Sequence, residues 1–348
     1  MIAALLTLGF LAALFLGAMM LPAPERDGQP LPDGTRRRYR LTGMRLFGAT
    51  HVGVAVGTLA FGLSLAPLLR YFWGLAITAT LVSAAVAIFL AREARARGEA
   101  TGTAMDVVYG AQLNPTWLGV DLKMFAYQPS LIGLWLLVLA FAYAQFEQHG
   151  VLTVRMLLFQ GFWWVYLFTH YRREEFMLQT WDVLAEKFGF ALCWGDLVLV
   201  PFFYCIGGWA LVDNLDPLPT WAPAGLIALY AFALWVFRGA NDQKHRFKAD
   251  PQIRIWGRTA ETLGGKLLVS GWWGIGRHLN YTGEVGVYLA IALTAGCTSP
   301  LPYLLPLWLA VLLAHRARRD DRRCRKKYGA LWDEYCARVR FRMAPFVY

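Results

Sequence analysis

The chain has 348 residues, 57% of them apolar, with a mean hydropathy of +0.40 and a formal net charge of +11. That length allows one large domain or two ordinary ones. The apolar content excludes an ordinary soluble domain, because runs near the ~20 residues a bilayer helix needs recur along the chain.

Taken in chain order, spans are predicted near 2–21, 45–68, 72–91, 129–147, 153–171, 189–213, 221–238, 284–298 and 302–315. The expected fold class is all-α, a polytopic transmembrane bundle of about 9–10 spans. The first run is too long, and too poorly preceded by charge, for a cleaved signal. The charged, Pro/Gly-rich stretch 22–42 reads as a linker. No repeat of 20–50 residues is visible. Residues 1–103 are expected to form N-terminal spans and the linker, and 104–348 the core, with 238–348 its more basic half.

If the N-terminus faces out, alternating spans place 22–44, 92–128, 172–188, 238–283 and 316–348 on one side. All Lys and Arg except Arg70 and Arg155 lie in or beside those segments. By the positive-inside rule that side is cytoplasmic. The positive charge therefore reflects topology and needs no nucleic acid; the expected partners are membrane lipids and an apolar substrate, and oligomeric state is not legible. Five cysteines show no CxxC spacing, and six histidines offer no ligand pair on one helix face, so neither disulfides nor a metal is indicated.

Three polar groups stand out against this background. Asp196 and Tyr204 lie within the stretch FGFALCWGDLVLVPFFY, where a carboxyl is costly and by default functional or paired. Pro201 is expected to break that helix and open room for a ligand. Tyr166 and Glu174, in and just beyond the preceding span, are further candidates; Asp196, Tyr204 and Glu174 are assigned to the substrate. The segment NDQKHRFK places Lys244 and Lys248 at i and i+4, on one helix face. They grip a phosphate together or face lipid headgroups. In the tail, Asp320 and Asp321 sit inside a cationic run, which suggests specific pairing. Tyr328, Trp332 and Tyr335 are spaced to share a face, either sandwiching a nucleotide ring or packing the tail back. No GxGxxG or P-loop is present, so a dinucleotide would not sit in a Rossmann module.

Four ordered blocks between 104 and 348 resemble the ERG4/ERG24 sterol reductases. SGWWGIGRHLNYTG is close to SGWWGxxRHxNYxG, with Glu284 where Asp is usual, and NDQKHRFK joins it, with Lys248 where Arg is usual. YGAQLNPTWLGVDLKMF is similar to GxELNPRxGxxDLKxF, with Gln112 and Thr116 departing from it. FGFALCWGDLVLVPFFY and RDDRRCRKKYGALWDEYCARVRFRMAPFVY complete the set, Arg340 replacing a proline.

The resemblance implies a sterol substrate entering from the bilayer and NADPH from the cytosol. It assigns the cofactor to Lys244, Lys248, Trp273, Asn280, Arg316, Asp320, Lys327, Tyr328 and Tyr335. The implied chemistry is protonation of the alkene, then hydride transfer to the carbocation. Tyr166 and Asp320 are the catalytic candidates, although Arg316 and Arg319 favour an ionised Asp320, and Thr169 replaces the family's Asp after Tyr166. The stretch Leu192 to Gly195, LCWG, leans towards delta-7 reduction, with delta-14 and delta-24 open. Two rivals remain. An isoprenylcysteine-type methyltransferase would use S-adenosylmethionine but needs HxxxEExxL, where this chain has HRARRDDRRC. The other is a non-catalytic sterol-binding scaffold.

Overall fold

Helix dominates because an apolar run in lipid can satisfy its backbone only within itself. The computed structural model describes residues 1–31, 34–345 and 347; Phe346 and Tyr348, the end of the last matching block, and two linker residues, Pro32 and Asp33, lie outside them. The chain divides into two compact units, Met1–Leu152 with Gln160–Asp213, and Thr153–Phe159 with Asn214–Tyr348.

In the first unit the long helices are α1 (Ile2–Met20), α2 (Gly43–Phe61), α3 (Phe72–Ala96) and α4 (Leu122–His149). The greater part of α5 (Val154–Arg172) and all of α6 (Phe190–Val212) complete it. Two small hairpins join them, β1 (Glu25–Asp27) with β2 (Arg38–Arg40) and β3 (Thr116–Trp117) with β4 (Val120–Asp121). The central element is α4. Asp121 caps it by accepting from the amides of Lys123 and Met124 at 3.1 and 2.9 Å, and Gly150, at φ 72°, ends it. Its buried residues Ile132, Leu134, Val138 and Phe141 form the heart of this unit.

Pro201 does not break α6. The helix widens into a π-helix over Gly195–Phe203 and continues to Val212. Proline lacks an amide hydrogen and collides with the carbonyl four residues back, and looser winding relieves that collision.

The second unit holds α7 (Ala222–Ala249), α8 (Leu279–Leu293), α9 (Leu304–Tyr328) and α10 (Ala330–Arg338). Between α7 and α8 run two hairpins, β5 (Arg254–Ile255) with β6 (Arg258–Thr259) and β7 (Thr262–Leu263) with β8 (Leu267–Leu268). Helices α7 and α8 touch backbone to backbone. A Cβ on Gly283 would stand 2.5 Å from the Phe237 amide nitrogen, so only glycine allows this approach.

Each of the nine expected spans overlaps a helix, although those near 45–68 and 284–298 run past the helix ends at Phe61 and Leu293. Six helices are long and apolar enough to cross a membrane: α1, α2, α3, α4, α6 and α7. α8 is shorter at 15 residues, while α5 and α9 carry more polar side chains. The protein is an all-α polytopic bundle, as its composition predicts.

Candidate functional site

The second unit concentrates cations around a tryptophan. Lys244 and Lys248 are exposed on the last turns of α7. The Lys244 ammonium stands 4.5 Å from the centre of the Trp273 ring, a cation–π contact. Trp273 is fixed from two sides: its indole N–H donates to the Ala240 carbonyl at 2.8 Å, and its own carbonyl accepts from the Tyr335 hydroxyl at 3.0 Å. The turn that carries it begins at Gly271, φ 62°, where a Cβ would lie 2.4 Å from Gln243 Oε1. Glycine is required there by both φ and space.

Helix α9 faces this cluster with Asp320 and Arg323, whose charges act on Lys244. Arg323 and Lys327 likewise act on Lys248. Arg316, Arg323 and Lys327 are exposed, and Lys327 stands 5.0 Å over the half-buried Tyr328 ring. At the start of α8, Asn280 donates to Asn241 Oδ1 at 3.1 Å, while its own Oδ1 is buried without a partner among the described residues. Glu284 takes its positive counter-charge from Arg238 and Arg316.

The two adjacent aspartates of α9 have different partners. Asp320 Oδ2 accepts from the Tyr281 hydroxyl at 3.1 Å. Asp321 faces Arg277 at 3.7 Å, His278 at 3.9 Å and, closer still, Arg342. Burial pushes the Asp321 carboxyl up, but His278 and the two guanidiniums outweigh it and hold it below its ordinary range. Arg277 also donates to the Val339 carbonyl at 3.1 Å, and the amides of Arg277 and His278 donate to the carbonyls of Phe341 and Arg342 at 3.0 and 2.8 Å. These bonds staple the tail to the turn carrying Trp273. His278 stacks on Tyr281, with centroids 5.1 Å apart and planes 7° from parallel. Sequence reasoning noted the Asp pair but missed its partners: Arg277, His278 and Tyr281 lie about forty residues upstream of it, and Arg342 about twenty downstream.

Of the aromatic tail residues, Trp332 and Tyr335 are buried against Leu263, Leu267 and Val269. They pack the tail rather than offering a face, and burial pushes the Tyr335 hydroxyl well up. Tyr328 lies at the margin of the same cluster.

In the first unit, Asp196 is buried in the π-helical stretch with Oδ2 unpartnered among the described residues. The charges it feels are those of Asp182 and Lys123. Lys123 is wholly buried and donates to the carbonyls of Asp182 and Glu186. Asn114 is likewise buried and donates to the Tyr39 hydroxyl at 3.2 Å. The block around Asn114, Asp121 and Lys123 is thus architectural. Tyr204 ends the π-helix and is half-buried.

Tyr166 is half-buried on α5, its ring edge-on to Trp163 with centroids 5.9 Å apart. Glu174 accepts from the Gly43 amide at 3.0 Å and from Gln128 at 2.7 Å, tying the end of α5 to α2 and α4. Burial pushes its carboxyl up to about 7 against those hydrogen bonds. A cavity of about 410 Å³, lined by Leu5, Phe10, Leu75, Gly133, Pro201 and Phe202 among other apolar groups, lies within this unit. Among the described residues no cluster of His, Cys, Asp and Glu could hold a metal ion, and all five cysteines are free.

The second unit's donor set fits a dinucleotide phosphate, with several exposed cations and an aromatic face under one of them, while the unpartnered Asn280 oxygen is an acceptor suited to a hydroxyl or amide N–H of the ligand. The ergosterol biosynthesis ERG4/ERG24 family model matches residues 3–348. A Delta(14)-sterol reductase of Methylotuvimicrobium alcaliphilum is 40% identical over 355 residues, covering 98% of this chain and 83% of that protein. One from Arabidopsis thaliana is 37% identical, covering 94% and 91%, and one from Mus musculus 36% identical, covering 98% and 84%. With the family model spanning nearly its whole length, the chain belongs to the ERG4/ERG24 family.

Proposed function

We propose that the protein reduces a carbon–carbon double bond of a sterol, with NADPH as the reductant. The observation that carries this reading is the cation cluster of α7 and α9 set beside Trp273. Lys244, Lys248, Arg316 and Lys327 would hold the phosphates, with Trp273, Asn280 and Tyr328 beside them. Asp320 borders the same cluster, and Tyr335 supports it by holding the Trp273 carbonyl. When bound, the nicotinamide supplies hydride.

An isolated alkene accepts hydride only after protonation, so the protein must provide an acid that is protonated at working pH. Asp320 and Tyr166 are the two candidates, one in each unit. Tyr281 engages one oxygen of Asp320 and leaves the other for a further partner. The apolar cavity of the first unit suits a polycyclic or hydrocarbon body; Asp196, Tyr204 and Glu174, the polar groups assigned to the substrate, stand outside its lining.

The delta-14 bond is the favoured site of reduction, because relatives 36–40% identical over nearly the whole chain are Delta(14)-sterol reductases. The delta-7 lean rests on LCWG alone, a stretch that leads into the π-helix. The basic loops support a cytoplasmic cofactor cluster with the N-terminus opposite.

The test is to incubate purified protein in nanodiscs with NADPH and delta-7, delta-14 or delta-24 sterols, reading products by mass spectrometry. Saturation of the delta-14 bond is expected. Product from the delta-7 sterol alone would overturn the choice of bond. No product from any sterol, together with no NADPH binding, would sink the reductase reading.

A further inference from the structure

Among the described residues only two that are not glycine hold a positive φ, Leu118 at 49° and Trp256 at 50°. Each is the first residue of a two-residue hairpin loop, and each is followed by a glycine, Gly119 at φ 78° and Gly257 at φ 80°. This is the type I′ turn, whose first position favours Asn, Asp or Gly. A large apolar residue there is strained, since its Cβ crowds the following carbonyl. It stays largely exposed nonetheless: Leu118 is 64% exposed and Trp256 56%. A strained conformation that presents an apolar side chain outward is a reason to look for what that side chain meets.

Both tips connect, by aromatic contacts, to helices apolar enough to cross a bilayer. Beside Leu118, the exposed Trp117 meets Phe15 of α1 at 5.2 Å, and Phe15 meets Phe125 of α4 at 5.1 Å. Trp256 stands edge-on to Trp272 at 5.2 Å, and Trp272 edge-on to Trp235 of α7 at 4.8 Å. Trp235 and its neighbour Phe232 are exposed on α7, one turn before Arg238, the first charged residue of that helix. The apolar face therefore ends where the aromatic contacts lead out to the hairpin. Tryptophan at that level is what a membrane–water boundary selects. Arg254 and Arg258, both exposed, flank the Trp256 tip, which is where anionic headgroups would add attraction.

We propose that the Leu118 and Trp256 hairpin tips are membrane-interface anchors, each inserting its apolar side chain among lipid headgroups, with the Trp256 tip selective for anionic lipid through Arg254 and Arg258. The occupant is the lipid leaflet itself. The strained turn leaves the side chain exposed to that surface. Neither tip belongs to the cation cluster, so the assignment stands apart from the reductase reading.

Photo-crosslinking tests it. The photoreactive residue p-benzoylphenylalanine is placed at 118 or 256 in the full chain, reconstituted in nanodiscs of phosphatidylcholine with or without phosphatidylglycerol. Position 59, exposed on α2, serves as the lipid-facing control, and position 99, in an exposed loop, as the aqueous one. Lipid adducts are expected at 118, 256 and 59 and not at 99. Phosphatidylglycerol is expected to be enriched in adducts at 256, with the enrichment lost in Arg254→Gln/Arg258→Gln. Adducts at 59 with none at 118 or 256 would overturn the proposal; adducts at 256 without lipid preference would overturn its headgroup selectivity. Leu118→Asn and Trp256→Asn guard against misfolding, because asparagine suits the turn better than either native residue. They should keep the hairpins but lose the protection of their amides from exchange in nanodiscs. Unchanged protection in both variants would also count against insertion.

Discussion

At the scale of single residues, the cations of α7 and α9 do different work from the aromatics packed below them. Arg316 and Lys327 are exposed at the surface, whereas Tyr335 spends its hydroxyl on Trp273. Arg316→Ala and Lys327→Ala should therefore each weaken NADPH by about 10- to 100-fold, the loss of one charged hydrogen bond of ~1.5–3 kcal/mol. Sterol binding should hardly change. Equilibrium titration of both ligands checks this; equal loss of both would mean damage to the fold.

Glu174 carries a pH prediction. Its carboxyl rises from 4.5 to about 7 on folding, so the folded state keeps a proton that the unfolded state releases. Stability should fall as pH climbs from about 4.5 to about 7 and level off above that, by up to about 3 kcal/mol. Glu174→Gln keeps an acceptor for Gly43 and does not titrate. Melting temperatures from pH 5 to 8 should slope downward in the native protein and be flatter in the variant; parallel curves would show that Glu174 is not the group responsible.

Among elements, the pairing of α7 with α8 is the joint that the cation cluster depends on. Lys244 stands on one helix and Asn280 on the other, and the two backbones meet at Gly283. Gly283→Val should cost about 3 kcal/mol or more, because the displaced atoms are backbone rather than flexible side chain. Gly286→Ala, whose new Cβ would lie 3.0 Å from that of Ala233, should be much milder. Thermal unfolding of the two variants in one detergent measures the difference. Much of this level was legible beforehand. Apolar runs located the helices, and the adjacent Asp320 and Asp321 announced pairing. The partners of that pair were not legible, because Arg277, His278 and Tyr281 lie far away in the chain and no periodicity links them. The π-helical winding at Pro201 was hidden for a related reason. Whether a proline breaks a helix or widens it depends on the neighbours that hold both flanks.

For the molecule as a whole, the loops carry a topological prediction. Cysteine substitutions in 172–188 should react with a membrane-impermeant thiol reagent from the same side as the tail beyond 316, and substitutions in 148–152 from the opposite side. Labelling of 148–152 from the tail's side would overturn the orientation read from Lys and Arg placement.

The sequence by itself determined the solvent the chain lives in, the places of its helices and the blocks that mark its family. Those properties are written in composition, run length and short motifs, all of them local. Tertiary structure alone decided what each polar group does. It made Lys123 and Asn114 internal braces, gave Asp320 to Tyr281 and Asp321 to Arg277, His278 and Arg342, and buried Tyr335 beneath Trp273. It also turned Leu118 and Trp256 outward on strained turns. A side chain's role depends on what lies within a few ångströms of it, and for these residues most of those neighbours come from distant parts of the chain.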